Sequence, residues 1–419
     1  METGKDAKET RMATRAARPA PTKKFHKRKD MILQAAVEVL NQRGVKGMTL
    51  ANVASRLDLV PTAVMYYFRS KEELAASCFH RSIQVYESLL EHAEQGKTAR
   101  QSFELFVRGF FEHRRRIAIG EAEQMAVFND VRALHDPGVG KAYEAMFRRV
   151  RSLLMRSRDF SKLERVEQNA RTHLLLSQLF WSVVWINHYD SDDYGRLADH
   201  VIDILENGLA RNRGQWNPVT LPLHATAASN GSNEARETFL RAATVLINEQ
   251  GYLGASVKKI SERLNVTKGA FYHHNEAKDD LVEACFARTL EIMRHAQREA
   301  AAATKTGYDN LAAVCAALLY YQLEGSAPLL RTSALTSVPE NIHKELIKEF
   351  ERVSGRFSLV CSDGIADGSL RPVNASISAQ MITAMINASA ELHFWAPGVT
   401  TENGAAIYAR PLFEGLLTK

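Results

Sequence analysis

Pro61, Thr62, Met65, Tyr66 and Tyr67 stand together in one short stretch of the chain, and Lys268, Gly269, Tyr272, His273 and His274 in another. Hydroxyls, an ammonium, imidazoles and flat rings gathered over one or two helical turns suit hydrogen bonding and packing against phosphates and base edges. They do not suit bond breaking. The chain offers no Ser/His/Asp set, no paired carboxylates and no Gly-x-Gly-x-x-Gly loop, so an enzyme is not expected. The one dense run of His, Asp and Tyr, at 188–194, reads as a loop between two helices. His273 and His274 are neighbours, and neighbouring positions on a helix point about 100° apart, so a shared metal ion is not expected either. No cofactor is implied.

The elements that position these groups follow from the periodicity. Ile32, Leu33, Ala36, Val37 and Leu40 recur at the spacing of one buried helix face. Gly44 falls where a left-handed cap is wanted. Thr49 is placed as N-cap of a short second helix carrying Leu50, Val53, Ala54 and Leu57. Pro61 suits the first position of a third helix, where its missing N–H costs nothing. Lys71 to Leu74 opens a fourth. Two short helices joined by a tight turn make a helix-turn-helix, whose second member lies in the DNA major groove with its N-terminal residues toward the bases.

The same pattern occurs twice. Sliding the chain by 207 residues lays 29–79 on 236–286 without a gap, and 13 of those 51 pairs are identical. Identities include Leu33/Leu240, Gly44/Gly251, Gly47/Gly254, Arg56/Arg263, Lys71/Lys278 and Cys78/Cys285, and Gly208-Leu209 falls on Gly415-Leu416 at the same offset. The reading is a duplicated, all-α architecture: a basic disordered arm at 1–24, a first helix-turn-helix domain at 25–85, a first helical domain at 86–213, a linker at 214–232, a second helix-turn-helix domain at 233–292 and a second helical domain at 293–419. Pro218, Pro222, Asn230 and Gly231 supply the linker chemistry. Extended at about 3.3 Å per residue, such a linker spans roughly 60 Å.

Composition sets the boundaries of this reading. A hydrophobic fraction of 45% and a charged fraction of 24% are those of a globular protein. No apolar run approaches the roughly 18 residues of a membrane span, and no secretory leader is evident, so a cytoplasmic location is expected. Cys78, Cys285, Cys315 and Cys361 are scattered and form no CxxC pair, which argues against zinc ribbons and disulfide frameworks. The net charge is +6, and between Arg11 and Lys29 there are eight Lys or Arg and no acid. That balance permits nucleic acid without proving it.

Both heads resemble the tetracycline-repressor (TetR) family. The second matches its pattern with Ser256, Ile260, Ser261, the run Val266-Thr267-Lys268-Gly269-Ala270-Phe271-Tyr272-His273-His274, and Lys278 to Leu281. The first matches with Thr49, Val53-Ala54, Leu59, Tyr67-Phe68 and Lys71 to Leu74. It departs at Val60, Pro61, Thr62 and Met65, where the family has Ser or Thr, a variable residue, Gly and Tyr; in the second head Asn275 replaces the Phe that Phe68 still supplies. The likeness covers about 50 residues per copy.

The resemblance implies a DNA-binding transcriptional regulator, with Thr49 and Ser256 touching phosphate at a helix start and Lys71 and Lys278 reaching the backbone from the other side. It implies helical domains that hold a small, apolar effector, and a pairing of the last two helices, here about 165–187 with 194–212 and 376–396 with 402–418. Met125, Phe128, Trp181 and Trp185 are candidate pocket residues. The leading expectation is a ligand-responsive repressor whose repeats dock as a covalent pseudo-dimer on an imperfectly palindromic operator, with further homodimerisation left open. The alternative is that only the second head reads DNA and the first repeat senses or dimerises.

Overall fold

The computed structural model describes residues 22–223, 231–265, 278–325, 328–331, 338 and 340–418. Among them the chain is all-α and built as two tandem units, with one isolated antiparallel bridge, Ala210 to Leu370. The first unit comprises α1 (Lys23–Gly47), α2 (Leu50–Ser55), α3 (Pro61–Met65), α4 (Lys71–Ala93), α5 (Ala99–Ala118), α6 (Pro137–Leu154), α7 (Arg158–Ser161), α8 (Arg165–Trp185) and α9 (Tyr194–Asn207). The second comprises α10 (Gly231–Gly254), α11 (Val257–Leu264), α12 (Lys278–Ala303), α13 (Gly307–Glu324), α14 (Glu340–Ala366), α15 (Ala375–Ala388), α16 (Leu392–Trp395) and α17 (Arg410–Glu414), the last entered through a π-helical turn at Ala405–Ala409.

Two boundaries differ from the sequence reading. Helix α1 begins at Lys23, capped by the Thr22 side chain, so the last basic residues of the expected arm are helical; 1–21 lies outside the described residues. Helix α10 begins at Gly231, inside the expected linker, of which 224–230 is not described. Gly231 and Ser232 are residue types that composition alone reads as linker.

Each head turns on the same backbone devices. Gly44 (φ 65°) and Gly251 (φ 70°) break their helices in the left-handed region that glycine enters without strain. Asp58 (φ 53°) and Asn265 (φ 54°) make the matching turn after α2 and α11, and short polar side chains tolerate that conformation best. The core of the second head, around Leu240, Ile247, Leu281 and Phe286, is separate. The first head shares one continuous core with both helical domains.

The units are joined by their last helices. Helix α8 packs on α15 and on the π-helical turn, and α9 packs on α15 and α17. Helices α1 and α10 also touch, so the heads meet. The pairing is reciprocal in detail. Leu209 N–H donates to the Leu412 carbonyl at 3.2 Å, and Leu416 N–H, its counterpart at the 207-residue offset, donates to the Leu205 carbonyl at 2.6 Å. Contact of i with j′ and of i′ with j is the mark of a two-fold interface.

Candidate nucleic-acid interface and central cavity

In the first head Thr49 caps α2: its hydroxyl accepts from the Asn52 N–H at 3.1 Å and donates to Asn52 Oδ1 at 2.6 Å. Val53, Ala54, Val64 and Phe68 are buried and hold α2 and α3 against α1. That leaves Pro61, Thr62, Met65 and Tyr66 on the outer face; Tyr66 is 73% exposed and Met65 51%. Tyr67 is half-buried and packs on Phe25, ring centroids 4.8 Å apart. The two tyrosines therefore divide, Tyr66 outward and Tyr67 beneath.

Phe25 was not singled out by sequence. It touches both Tyr66 and Tyr67, and stands near the start of α1 among Lys23, Lys24, Lys27 and Arg28. Lys29 sits over the Phe68 ring, 5.2 Å from its centroid. Lys71 is the first residue of α4, and its ammonium reaches the Lys46 carbonyl at 3.4 Å. The head thus carries cations, a helix start and an exposed ring, which are the groups a phosphate-lined groove requires.

In the second head Ser256 caps α11, its hydroxyl accepting from the Lys259 N–H at 3.3 Å. Lys278 opens α12. Lys268, Gly269, Tyr272, His273 and His274 lie outside the described residues.

Between the units lies a cavity of about 430 Å³. Phe128, Trp181 and Trp185 line it. Met125 does not: it is buried behind the wall, and its carbonyl accepts from Asn41 Nδ2 at 2.8 Å. The walls are not those of one helical domain. They combine α1, α8, α14 and α15, so both units contribute.

Two asparagines tie this cavity to the heads. Asn41 of α1 donates to the Met125 carbonyl and accepts from the Val127 N–H at 2.9 Å, fixing the strand-like segment that leads into Phe128. Asn248, its repeat counterpart in α10, donates to the Leu329 carbonyl and accepts from the Arg331 N–H, both at 2.9 Å. Ser82 and Thr289, another matched pair, accept from the N–H groups of Ala126 and Leu330 at 2.7 and 2.8 Å. Leu40, Asn41 and Gly44 line the cavity from the first head, and Arg331, held by the second head, lines it from the other side. Sequence reasoning missed this clamp, although Asn41/Asn248 is one of the repeat identities; a polar identity on a helix of apolar periodicity was the available signal.

The polar residues of the cavity form a charged corner. Arg331 pairs with Glu391 at 2.7 Å. Burial pushes the Glu391 carboxyl upward, but Arg331, with His173 and Arg132, holds it below its ordinary range. Burial lowers His173, and its Nε2–H donates to the Ala388 carbonyl at 3.1 Å. No helix among the described residues is long and apolar enough to cross a membrane.

The domain described as "Bacterial regulatory proteins, tetR family" matches residues 32–78 and again 239–285. The Transposon Tn10 TetC protein of Escherichia coli is 26% identical over 145 residues, 34% of this chain and 71% of that protein. The HTH-type transcriptional regulator BetI of Burkholderia thailandensis is 28% identical over 161 residues, 38% of this chain and 80% of that one. Among solved structures, apo AibR covers 43% of this chain and 98% of its own at 17% identity and a TM-score of 0.37.

Two helix-turn-helix heads on helical domains define a DNA-binding transcriptional regulator rather than an enzyme. The chain carries two copies of the TetR-family DNA-binding domain, one in each of two tandem units of a single polypeptide.

Proposed function

We propose that this regulator acts as a covalent pseudo-dimer and a ligand-responsive repressor, reading an imperfectly palindromic operator with its two unlike heads. The observation that carries this reading is the reciprocal seam. A separate two-chain partner would have to occupy the faces of α8, α9, α15 and the C-terminal helix that the repeats bury in each other. In this reading Thr49, Pro61, Thr62, Met65, Tyr66, Tyr67 and Lys71 meet one half-site, and Ser256, Lys268, Gly269, Tyr272, His273, His274 and Lys278 the other. The domain division at 25–85, 86–213, 233–292 and 293–419 follows from the same proposal.

Support for a ligand response comes from the clamps. A molecule entering the cavity presses on Phe128 and Arg331, whose backbone segments are hydrogen-bonded to α1 and α10. It therefore biases both heads. By linkage, DNA binding weakens effector affinity by the same factor as effector weakens DNA affinity.

The test is selection of duplexes from a random pool followed by footprinting. Two unlike half-sites about one helical turn apart, roughly 34 Å, are expected. A Lys268→Ala, Tyr272→Ala variant loses protection mainly over one of them; equal loss at both contradicts the arrangement.

A further inference from the structure

We propose that the cavity between the units is a single binding site for an apolar, ring-bearing carboxylate, one per chain; this rests on the effector-response reading above and names its ligand class. The count follows from symmetry. The cavity is lined by both members of pairs that the 207-residue offset relates: His173 with Gln380, Phe180 with Asn387, Trp181 with Ala388. A space bounded by both halves of such pairs lies across the seam, and a chain with one seam has one such space. Its room comes from divergence of the repeats. Where the first unit places Phe180 and Trp181, the second places Asn387 and Ala388. A faithful second copy would fill the space with another pair of large rings.

The ring-bearing body follows from the walls. Phe128 and Phe180 stand with centroids 5.3 Å apart, and Trp181 lies 6.0 Å from Phe350. Rings at these separations present faces and edges to a flat guest.

The carboxylate follows from Arg331. Its side chain is only 13% exposed; one terminal nitrogen serves Glu391, and its buried Nε–H has no partner among the described residues. Arg132, outside the cavity wall, adds its positive field at Glu391. The other acid on the wall, Glu351, is solvent-exposed, where water screens it. A nearly buried guanidinium with an unpartnered N–H is best satisfied by an anionic oxygen.

The test is calorimetric titration of the full-length protein, without DNA, with 2-naphthoate, and with 2-naphthamide and 2-naphthylmethylammonium as relatives of the same ring body. Naphthoate is expected to bind at one site per chain, about tenfold or more tighter than the amide, with no binding by the ammonium. Arg331→Gln abolishes the preference for the acid, whereas Glu391→Gln frees the guanidinium and tightens the acid; opposite responses cannot come from general unfolding. Absence of naphthoate binding, two sites per chain, or equal binding of amide and acid overturns the proposal. A gel shift on a selected duplex separates the two readings. Normal DNA binding with no acid bound overturns the site alone. Acid binding that leaves DNA affinity unmoved overturns the effector response and leaves the site standing.

Discussion

Trp181 donates its indole Nε1–H to Oε1 of Gln380 at 3.1 Å, and the pair that the repeat maps onto these two, Ala388 and His173, is bonded in return at 3.1 Å. One polypeptide has thus kept the pairing geometry of a two-fold interface while changing the side chains that make it. The surrounding contacts are as specific: Arg371 grips the Asp203 carboxylate at 2.6 and 3.1 Å, and Arg171 reaches the Leu416 carbonyl at 2.9 Å.

The tightest point of the seam is glycine against backbone. A Cβ on Gly208 would lie 2.1 Å from the Phe413 carbonyl oxygen, and one on Gly415 would lie 2.4 Å from that of Glu206; both residues have positive φ. Gly208→Ala and Gly415→Ala are each expected to cost about 2 kcal/mol or more, from strain and steric conflict together. Chemical denaturation with paired near- and far-ultraviolet dichroism checks this. Unchanged midpoints would mean that the units do not pack through these residues.

The asparagine clamps are expected to carry the effector signal. Asn41→Ala removes two hydrogen bonds and should cost roughly 1–3 kcal/mol in stability. It should also reduce the effector-induced change in DNA affinity several-fold, and Asn248→Ala, at a residue that does not line the cavity, should do so while leaving effector affinity within about threefold. Fluorescence anisotropy on labelled duplex, with and without ligand, measures both. A full response in Asn41→Ala and Asn248→Ala together would remove the clamps from the mechanism.

His173 gives the seam a pH dependence of definite sign. Burial holds its folded-state pKa below the ordinary 6.5. Above pH 6.5 the imidazole is neutral in both states and adds no slope; below it the unfolded chain takes up the proton first, so stability falls as pH falls. His173→Gln, which copies the residue at the matching position 380, should flatten the melting-temperature profile below pH 6.5. An unaltered profile would place the slope elsewhere.

The first head is expected to bind DNA in its own right, because Tyr66 stands outward and touches Phe25, which stands among the cations near the start of α1. Tyr66→Ala with Thr49→Ala should weaken operator binding by about tenfold or more, the worth of one or two lost contacts. Unchanged affinity would favour the alternative in which the second head alone reads DNA.

Much of this was legible in the sequence, and the reasons are physical. Helix periods, the Thr49 and Ser256 caps, Pro61 at a helix start and the glycine pair Gly44/Gly251 are local signals, so the heads and the all-α class followed from them. The repeat offset matched Gly208 to Gly415. What the residues did not announce was anything requiring two distant segments at once. The cavity was expected inside one helical domain, and Phe128, Trp181 and Trp185 do line it, but Arg331, Gln380 and Glu391 join them only because the seam brings the second unit across. Met125 was chosen for its place in mid-domain, where the family's pockets are lined; its backbone carbonyl, invisible to such reasoning, is what it contributes.

The central claim is that one chain replaces a dimer. Its most direct test is the molar mass of the purified protein alone and on a selected DNA site, by light scattering after size exclusion. The account predicts a 46.9 kDa particle in solution and one chain per duplex. Two chains per duplex would contradict it, and would mean that the reciprocal seam between α8 and α15 does not complete the DNA-reading unit.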